Sequence, residues 1–233
     1  MFEGFTQETS DFLWELSFHN ERPWFLEHKE QFERVLNRPF KALAEDTLER
    51  MRERYPEKAM QAHVSRIYRD ARRLFGRGPY KDHLWFTVKG DGSYQEGPMF
   101  WFEIHAATYS YGLGFFDVTP AEMERFRRTV DADPARFERL ALKVQRDGRF
   151  RVIGQEYSRP KGSYDEPLRS YYNRKVLGLE CQRDFGGDLL STDLPEILAQ
   201  AFESLMPMYE YFLSVHNAAR AAGETWQTRR SHG

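Results

Sequence analysis

Residues 84–89 read Leu84-Trp85-Phe86-Thr87-Val88-Lys89, and residues 100–105 read Phe100-Trp101-Phe102-Glu103-Ile104-His105. In both segments two sets of side chains alternate at every second position, which is the period of a β-strand. If the two faces coincide in one sheet, Trp85, Trp101, Glu103 and His105 share a surface. Glu103 would then orient His105 for proton transfer, or the tryptophans would stack on a base or a sugar. In the structural alternative, helices cover the tryptophans and the polar pair lies at the rim.

Similar short segments rich in aromatic and β-branched residues surround these two, at 63–70 and 109–116, and again near 149–157 and 176–183. Three helical patterns precede them, beginning at Thr6, Pro23 and Pro39. Helices that open at Thr119 and Asp133, and a long one from about Asp193, follow. This order predicts an α+β fold with a mainly antiparallel sheet flanked by helices. We expect a single domain over residues 1–220 and a disordered tail over 221–233.

The composition limits the class of protein. The chain has 233 residues, of which 40% are hydrophobic, so it can bury a substantial core. Because Cys181 is the only cysteine, no disulfide framework can form within the chain. No apolar run approaches the roughly 20 residues that span a bilayer, and the first residues do not resemble a signal peptide. These features predict a cytoplasmic protein without a membrane partner.

Basic residues concentrate between Val64 and His83. Five arginines and one lysine lie there against two aspartates, which gives this segment a net charge of +4 in a chain of net charge −2. Such a local excess of cations usually faces an anion. If residues 66–70 form a strand, Arg66, Tyr68 and Asp70 lie on one face; if they form a helix, Arg66 and Asp70 are an i,i+4 pair. The neighbouring strand-like segments favour the strand.

The basic segment has three interpretations. Its arginines could bind a phosphate or a carboxylate, for which the planar guanidinium is suited. They could instead form an internal arginine–aspartate network, or they could contact nucleic acid. Lys161, on a turn, either adds a second cation or is simply solvated. The candidate anion-binding residues are Arg66, Arg69, Asp70, Arg73, Tyr80, Lys81 and Lys161.

Five motifs resemble a known family, the domain of unknown function 2461. They are Asn20 followed by Trp24-Phe25 and Lys29, then Arg66-Ile67-Tyr68-Arg69-Asp70, Pro79-Tyr80-Lys81, Gly112-Leu113-Gly114-Phe115 and Pro160-Lys161-Gly162-Ser163-Tyr164. The similarity runs from Phe2 to roughly Val215. Residues 73–78 depart from the family, which usually reads Phe-Ser-Lys-Asp-Lys-Thr there. The resemblance implies a single α+β domain and supplies no activity.

The sequence thus favours a protein that binds a phosphate- or carboxylate-bearing small molecule through an arginine-rich cleft. The alternative is a non-enzymatic interaction module for nucleic acid or an acidic protein partner. A third hypothesis is a hydrolase or transferase in which Glu103 and His105 act as acid and base. The seven histidines show no His-x-x-x-His spacing, so no metal site and no cofactor are predicted.

Overall fold

The structure is a computed structural model that describes residues 1–70, 72, 74, 76–90 and 96–225. Four N-terminal helices come first, and they are α1 (Gln7–Phe18), α2 (Arg22–Glu27), α3 (Lys29–Phe32) and α4 (Arg38–Arg54). Four strands follow, β1 (Gln61–Val64), β2 (His83–Lys89), β3 (Met99–His105) and β4 (Thr108–Phe115). The remaining elements are α5 (Pro120–Ala132), α6 (Pro134–Asp147), β5 (Arg151–Ile153), α7 (Leu168–Tyr172), β6 (Leu177–Asp184) and α8 (Leu194–Ala221).

The six strands form one sheet in the order β1-β2-β3-β4-β6-β5. The pairs β1–β2, β2–β3 and β5–β6 are antiparallel. An α+β fold with a mainly antiparallel sheet flanked by helices is therefore confirmed. The strand predicted at 63–70 ends at Val64, and the short helix α7 was not predicted, because its five residues are too few to show a helical period.

The second predicted helix is interrupted. After α3 the chain makes a π-helical turn over Glu33–Asn37 before α4 begins. In a continuous α-helix the Val35 carbonyl would accept from the backbone of residue 39, but Pro39 has no N–H to donate. The Thr9 hydroxyl of α1 donates to this carbonyl instead, at 2.7 Å. The proline that restarts the helical pattern thus also explains why the turn is irregular.

By its internal contacts the chain divides into two compact units. The first comprises Met1–Asp91, Phe100–Tyr111 and Gln182–Glu203, and the second comprises Gly92–Met99, Gly112–Cys181 and Ser204–Gly233. In the first unit Phe40 of α4 packs against Phe86 and Phe102, with ring centroids 5.6 and 5.9 Å apart. This contact buries one face of β2 and β3. The opposite face, called the outer face below, carries three buried side chains and four partly exposed ones, which are Thr87, Lys89 and Trp101 and then His83, Trp85, Glu103 and His105.

Aromatic side chains also form the core of the second unit. Phe115 stacks on Phe212 at 5.4 Å, and Phe126 meets Phe137 edge-on at 5.2 Å. Helix α5 begins with the predicted capping box, in which Thr119 Oγ1 accepts from the Glu122 backbone N–H at 3.0 Å. Helix α8 ends at Ala221, and the predicted tail falls largely on residues 226–233, which lie outside the described residues. The proposed boundary between a domain at 1–220 and this tail stays a prediction.

Candidate functional site on the outer face of β1, β2 and β3

The basic segment is extended and pairs with the chain that leads into β2. Tyr68 and Tyr80 form an antiparallel bridge, and Lys81 N–H donates to the Ile67 carbonyl at 2.7 Å. Arg66, Tyr68 and Asp70 are exposed, whereas Ile67 is buried. Of the two conformations that the sequence allowed for residues 66–70, the extended one is observed.

Tyr80 anchors this segment to the helical layer. It is 2% exposed and stacks on Phe25 of α2, with ring centroids 4.0 Å apart. Asn20 accepts from the Tyr80 backbone N–H and donates to its carbonyl, both at 2.9 Å. A side chain at Gly78 would collide with Asn20, since its Cβ would lie 2.3 Å from the amide. Asn20, Phe25 and Tyr80 therefore position the basic segment, and the ring of Tyr80 is not available to a ligand.

Two arginines of the basic segment, the candidate Arg69 and its neighbour Arg72, are paired with carboxylates. Arg69 donates from Nε to the Tyr80 carbonyl at 2.7 Å and from Nη2 to Asp82 at 3.2 Å. Arg72 makes two hydrogen bonds to Asp70, of 3.1 and 2.8 Å, at the protein surface. The positive charges of these arginines are thus largely compensated. Arg73, another candidate, lies outside the described residues.

Unlike Arg69 and Arg72, Arg66 and Lys81 form no ion pair with a described carboxylate. The exposed guanidinium of Arg66 forms no ion pair with any residue that the structure describes. Lys81 Nζ donates to the Arg66 carbonyl at 2.7 Å and lies 5.6 Å from the centre of the Trp85 ring. Burial and the charge of Arg69 lower the pKa of Lys81, and the attraction of Glu103 offsets them only in part.

His63 of β1 is affected by the charges of Lys81 and Arg66, although no motif in the sequence singles it out. It lies opposite Thr87 of β2, and its ring centroid is 5.7 Å from that of Trp85. Burial lowers the pKa of His63, and the charges of Lys81 and Arg66 lower it further. His63 is three residues from Arg66 but distant from Lys81 in sequence, so the pairing of β1 with β2 is what brings it near Lys81.

Glu103 and His105 share a strand face as predicted, and His83 joins them. In the β2–β3 register His83 lies opposite His105, and Trp85 lies opposite Glu103. His105 Nε2 is 2.6 Å from Glu103 Oε1, and His83 Nε2 is 3.9 Å from the same oxygen. Trp101 is 8% exposed, so a ligand cannot stack on it. The polar set on this face is therefore two histidines and a carboxylate.

The pKa values on this face reflect those contacts. The hydrogen bond to Glu103 raises the pKa of His105 against the opposing effect of burial, and the charges of Glu103 and Asp82 add to the rise. Burial disfavours the Asp82 carboxylate, but the hydrogen bond with His83, at 2.9 Å, and the charge of Arg69 hold its pKa below the ordinary value. Chemically, the Glu103–His105 pair resembles a base with its orienting carboxylate, and the three groups together offer ligands for a metal ion.

Lys161 belongs to the second unit, in a separate group of cations. Its Nζ is 4.6 Å from the centre of the Tyr157 ring, and Arg127 and Lys175 lie 5.3 and 5.7 Å from the same centre. The Lys161 backbone N–H donates to Asn173 at 2.7 Å. Arg127 is buried, and its Nη1 has no hydrogen-bond partner among the described residues. By contrast, the first unit contains the other described candidate anion-binding residues, which are Arg66, Arg69, Asp70, Tyr80 and Lys81.

Comparison with known proteins gives a family and no activity. None of the described helices is long and apolar enough to cross a bilayer. No curated protein matches the chain. The family model of a conserved hypothetical protein, DUF2461, matches residues 8–211, which include every candidate site residue. This match covers most of the chain and agrees with the motifs around Asn20, Arg66 and Tyr80, so the protein belongs to the DUF2461 family.

Proposed function

We propose that the protein binds a small molecule bearing a phosphate or a carboxylate on the outer face of β1, β2 and β3. The observation that carries this proposal is the contrast between the basic residues of the segment. Arg69 and Arg72 have carboxylate partners, whereas Arg66 and Lys81 form no ion pair with a described residue, and the charges of both act on His63. Two cations that act on one site and have no bonded carboxylate favour binding of an anion there.

The surroundings of Arg66 and Lys81 suit an anion with a carbon skeleton better than an inorganic anion. Trp85 is half-buried beside the Lys81 ammonium, so part of its ring is available for contact with the carbon skeleton of a ligand. Arg66 is exposed, and its planar guanidinium can bind two oxygens of one phosphate or carboxylate. His63 adds a third group whose charge would respond to the bound anion.

Thermal unfolding with millimolar inorganic phosphate, nucleotides, sugar phosphates and organic acids tests the proposal, since a ligand of the native state raises Tm. We expect Tm to rise with at least one anion, and Lys81→Gln to weaken its affinity about tenfold, because one nearby charge contributes roughly 1.4 kcal/mol. Arg66→Gln should have a similar effect. Lys41→Gln, an equal charge change on an exposed turn of α4, is the matched control. No rise with any anion, or equal weakening by Lys41→Gln, would contradict the proposal.

Binding to single-stranded nucleic acid is the second candidate function. One observation favours it: Tyr68, 53% exposed, lies two residues after the exposed Arg66, so a base could stack on the ring while the guanidinium contacts a phosphate. Fluorescence polarisation of short oligonucleotides at increasing salt separates the two functions. Affinity that decreases steeply with salt and is lost in Tyr68→Ala would favour nucleic acid.

A further inference from the structure

We propose that His83, Glu103 and His105 bind a divalent transition-metal ion on the outer face of β2 and β3. This inference goes beyond anion binding and does not depend on it. One donor atom from each of the three residues can be chosen so that all lie within 4.8 Å of one another. All three side chains are partly exposed, so an ion can reach them from solvent.

The distances from the Glu103 donor oxygen to the two histidine nitrogens are close to those between the ligand atoms of a bound metal ion. Bonds of about 2.0 to 2.2 Å to nitrogen and carboxylate oxygen place neighbouring donors roughly 3.0 to 3.6 Å apart. Glu103 Oε1 is 2.6 Å from His105 Nε2 and 3.9 Å from His83 Nε2. The first distance must lengthen and the second must shorten, each by about 0.3 to 0.4 Å, and the donor nitrogens of the two histidines, which lie within 4.8 Å of each other, must also come to that range. Rotation of three partly exposed side chains suffices, because the β2–β3 register already fixes their backbones.

Asp82 provides independent support for this arrangement. Histidines that bind metals commonly use their other ring nitrogen to bond a carboxylate or carbonyl, which fixes the ring and its tautomer. Nδ1 of His83 is 2.9 Å from Asp82 Oδ1, so a proton on Nδ1 leaves Nε2, which is 3.9 Å from Glu103 Oε1, with a lone pair for a metal ion. Asp82 is itself held by Arg69 at 3.2 Å. Arg69, an arginine of the family motif, thus holds the Asp82 carboxylate that orients His83.

The donor set indicates the class of metal. Two imidazoles and one carboxylate suit Zn²⁺, Fe²⁺ and Co²⁺, whereas Mg²⁺ and Ca²⁺ prefer oxygen donors alone. Three protein ligands leave coordination positions open, as in metal sites that bind a further ligand. Lys81 opposes the cation, since its ammonium interacts with Glu103. Its removal should therefore strengthen metal binding, the opposite of its expected effect on an anion.

Isothermal titration calorimetry of the full chain with Zn²⁺, and with Mg²⁺ for comparison, tests the site. We expect saturable binding of one Zn²⁺ and none of Mg²⁺, and Glu103→Gln and His105→Asn should abolish the Zn²⁺ signal. Asp82→Asn should weaken binding about 10- to 100-fold, as loss of such supporting carboxylates does elsewhere. With Co²⁺, visible absorption should appear in the wild type and be absent from Glu103→Gln.

Two controls keep the outcome clear. His19→Asn removes an exposed histidine at the end of α1 and should bind Zn²⁺ like the wild type. Lys81→Gln keeps all three ligands and should bind Zn²⁺ several-fold more tightly, even if a ligand variant fails to fold. The inference would be overturned if the wild type bound no Zn²⁺, if Glu103→Gln and His105→Asn bound it unchanged, or if Lys81→Gln weakened it. Because Lys81→Gln should weaken phosphate binding, failure of one proposal is distinguishable from failure of the other.

Discussion

At the scale of single residues, Glu103 favours the protonated form of His105. Its carboxylate lies 2.6 Å from the ring and raises the pKa of His105. In Glu103→Gln the neutral amide cannot stabilise the imidazolium in the same way, so we expect the pKa to fall toward or below its ordinary value of 6.5. NMR titration of the histidine ring protons measures this, and His105→Asn identifies the signal. An unchanged pKa in Glu103→Gln would show that the carboxylate does not determine it.

Residue types alone could not separate the arginines. Arg66 and Arg69 belong to one motif, and the sequence predicted both as anion ligands, yet Arg69 is 16% exposed and bonded to Asp82 while Arg66 is exposed. The alternation of exposure along residues 65–69 was predictable from a strand period of two. Arg69 meets Asp82 because the bridge between Tyr68 and Tyr80 brings the two chain segments together. That pairing is a tertiary contact, so no local sequence pattern predicts it.

At the scale of secondary structure, the β2–β3 register assembles the polar set. The period of two predicted that Glu103 and His105 share a face with Trp85. It did not predict His83, because the strand was expected to begin one residue later, and its pairing with His105 depends on the register. A search for helical His-x-x-x-His spacing could not find ligands that are contributed by two strands.

The π-helical turn gives a prediction at the same scale. The Val35 carbonyl, which Pro39 cannot satisfy, accepts from the buried Thr9 hydroxyl at 2.7 Å. Thr9→Val keeps the shape of the side chain but removes this hydroxyl donor from the buried carbonyl, so we expect a loss of about 1 to 3 kcal/mol in the free energy of unfolding. Urea denaturation measures the loss. Thr129→Val, which removes a hydroxyl bonded within one helix, is the control and should cost less. Equal losses would mean that the Thr9 bond has no special role.

At the scale of the whole molecule, charge is unevenly distributed. The segment between Val64 and His83 carries +4, although the chain carries −2, so the rest of the protein is acidic. The acidic background disfavours general association with nucleic acid, and the local excess favours a confined anion site. The sequence predicted this contrast and the α+β class. The sequence could not predict that Lys161 lies in the second unit, beside Tyr157. Neighbours along the chain do not show to which of two compact units a turn belongs.

The pKa of His63 is the most direct test of the anion site. Burial, Lys81 and Arg66 lower it in the free protein. A bound anion would stabilise the imidazolium, so we expect sulfate, whose charge is constant over this pH range, to raise the pKa of His63 above its value in chloride of equal ionic strength. By linkage, sulfate should then bind more tightly as the pH falls through that pKa. The measurement is an NMR titration of the wild type, with His63→Gln to identify the signal and with Lys81→Gln for comparison. A rise that is reduced in Lys81→Gln is the predicted result, and an identical pKa in sulfate and chloride would contradict the account.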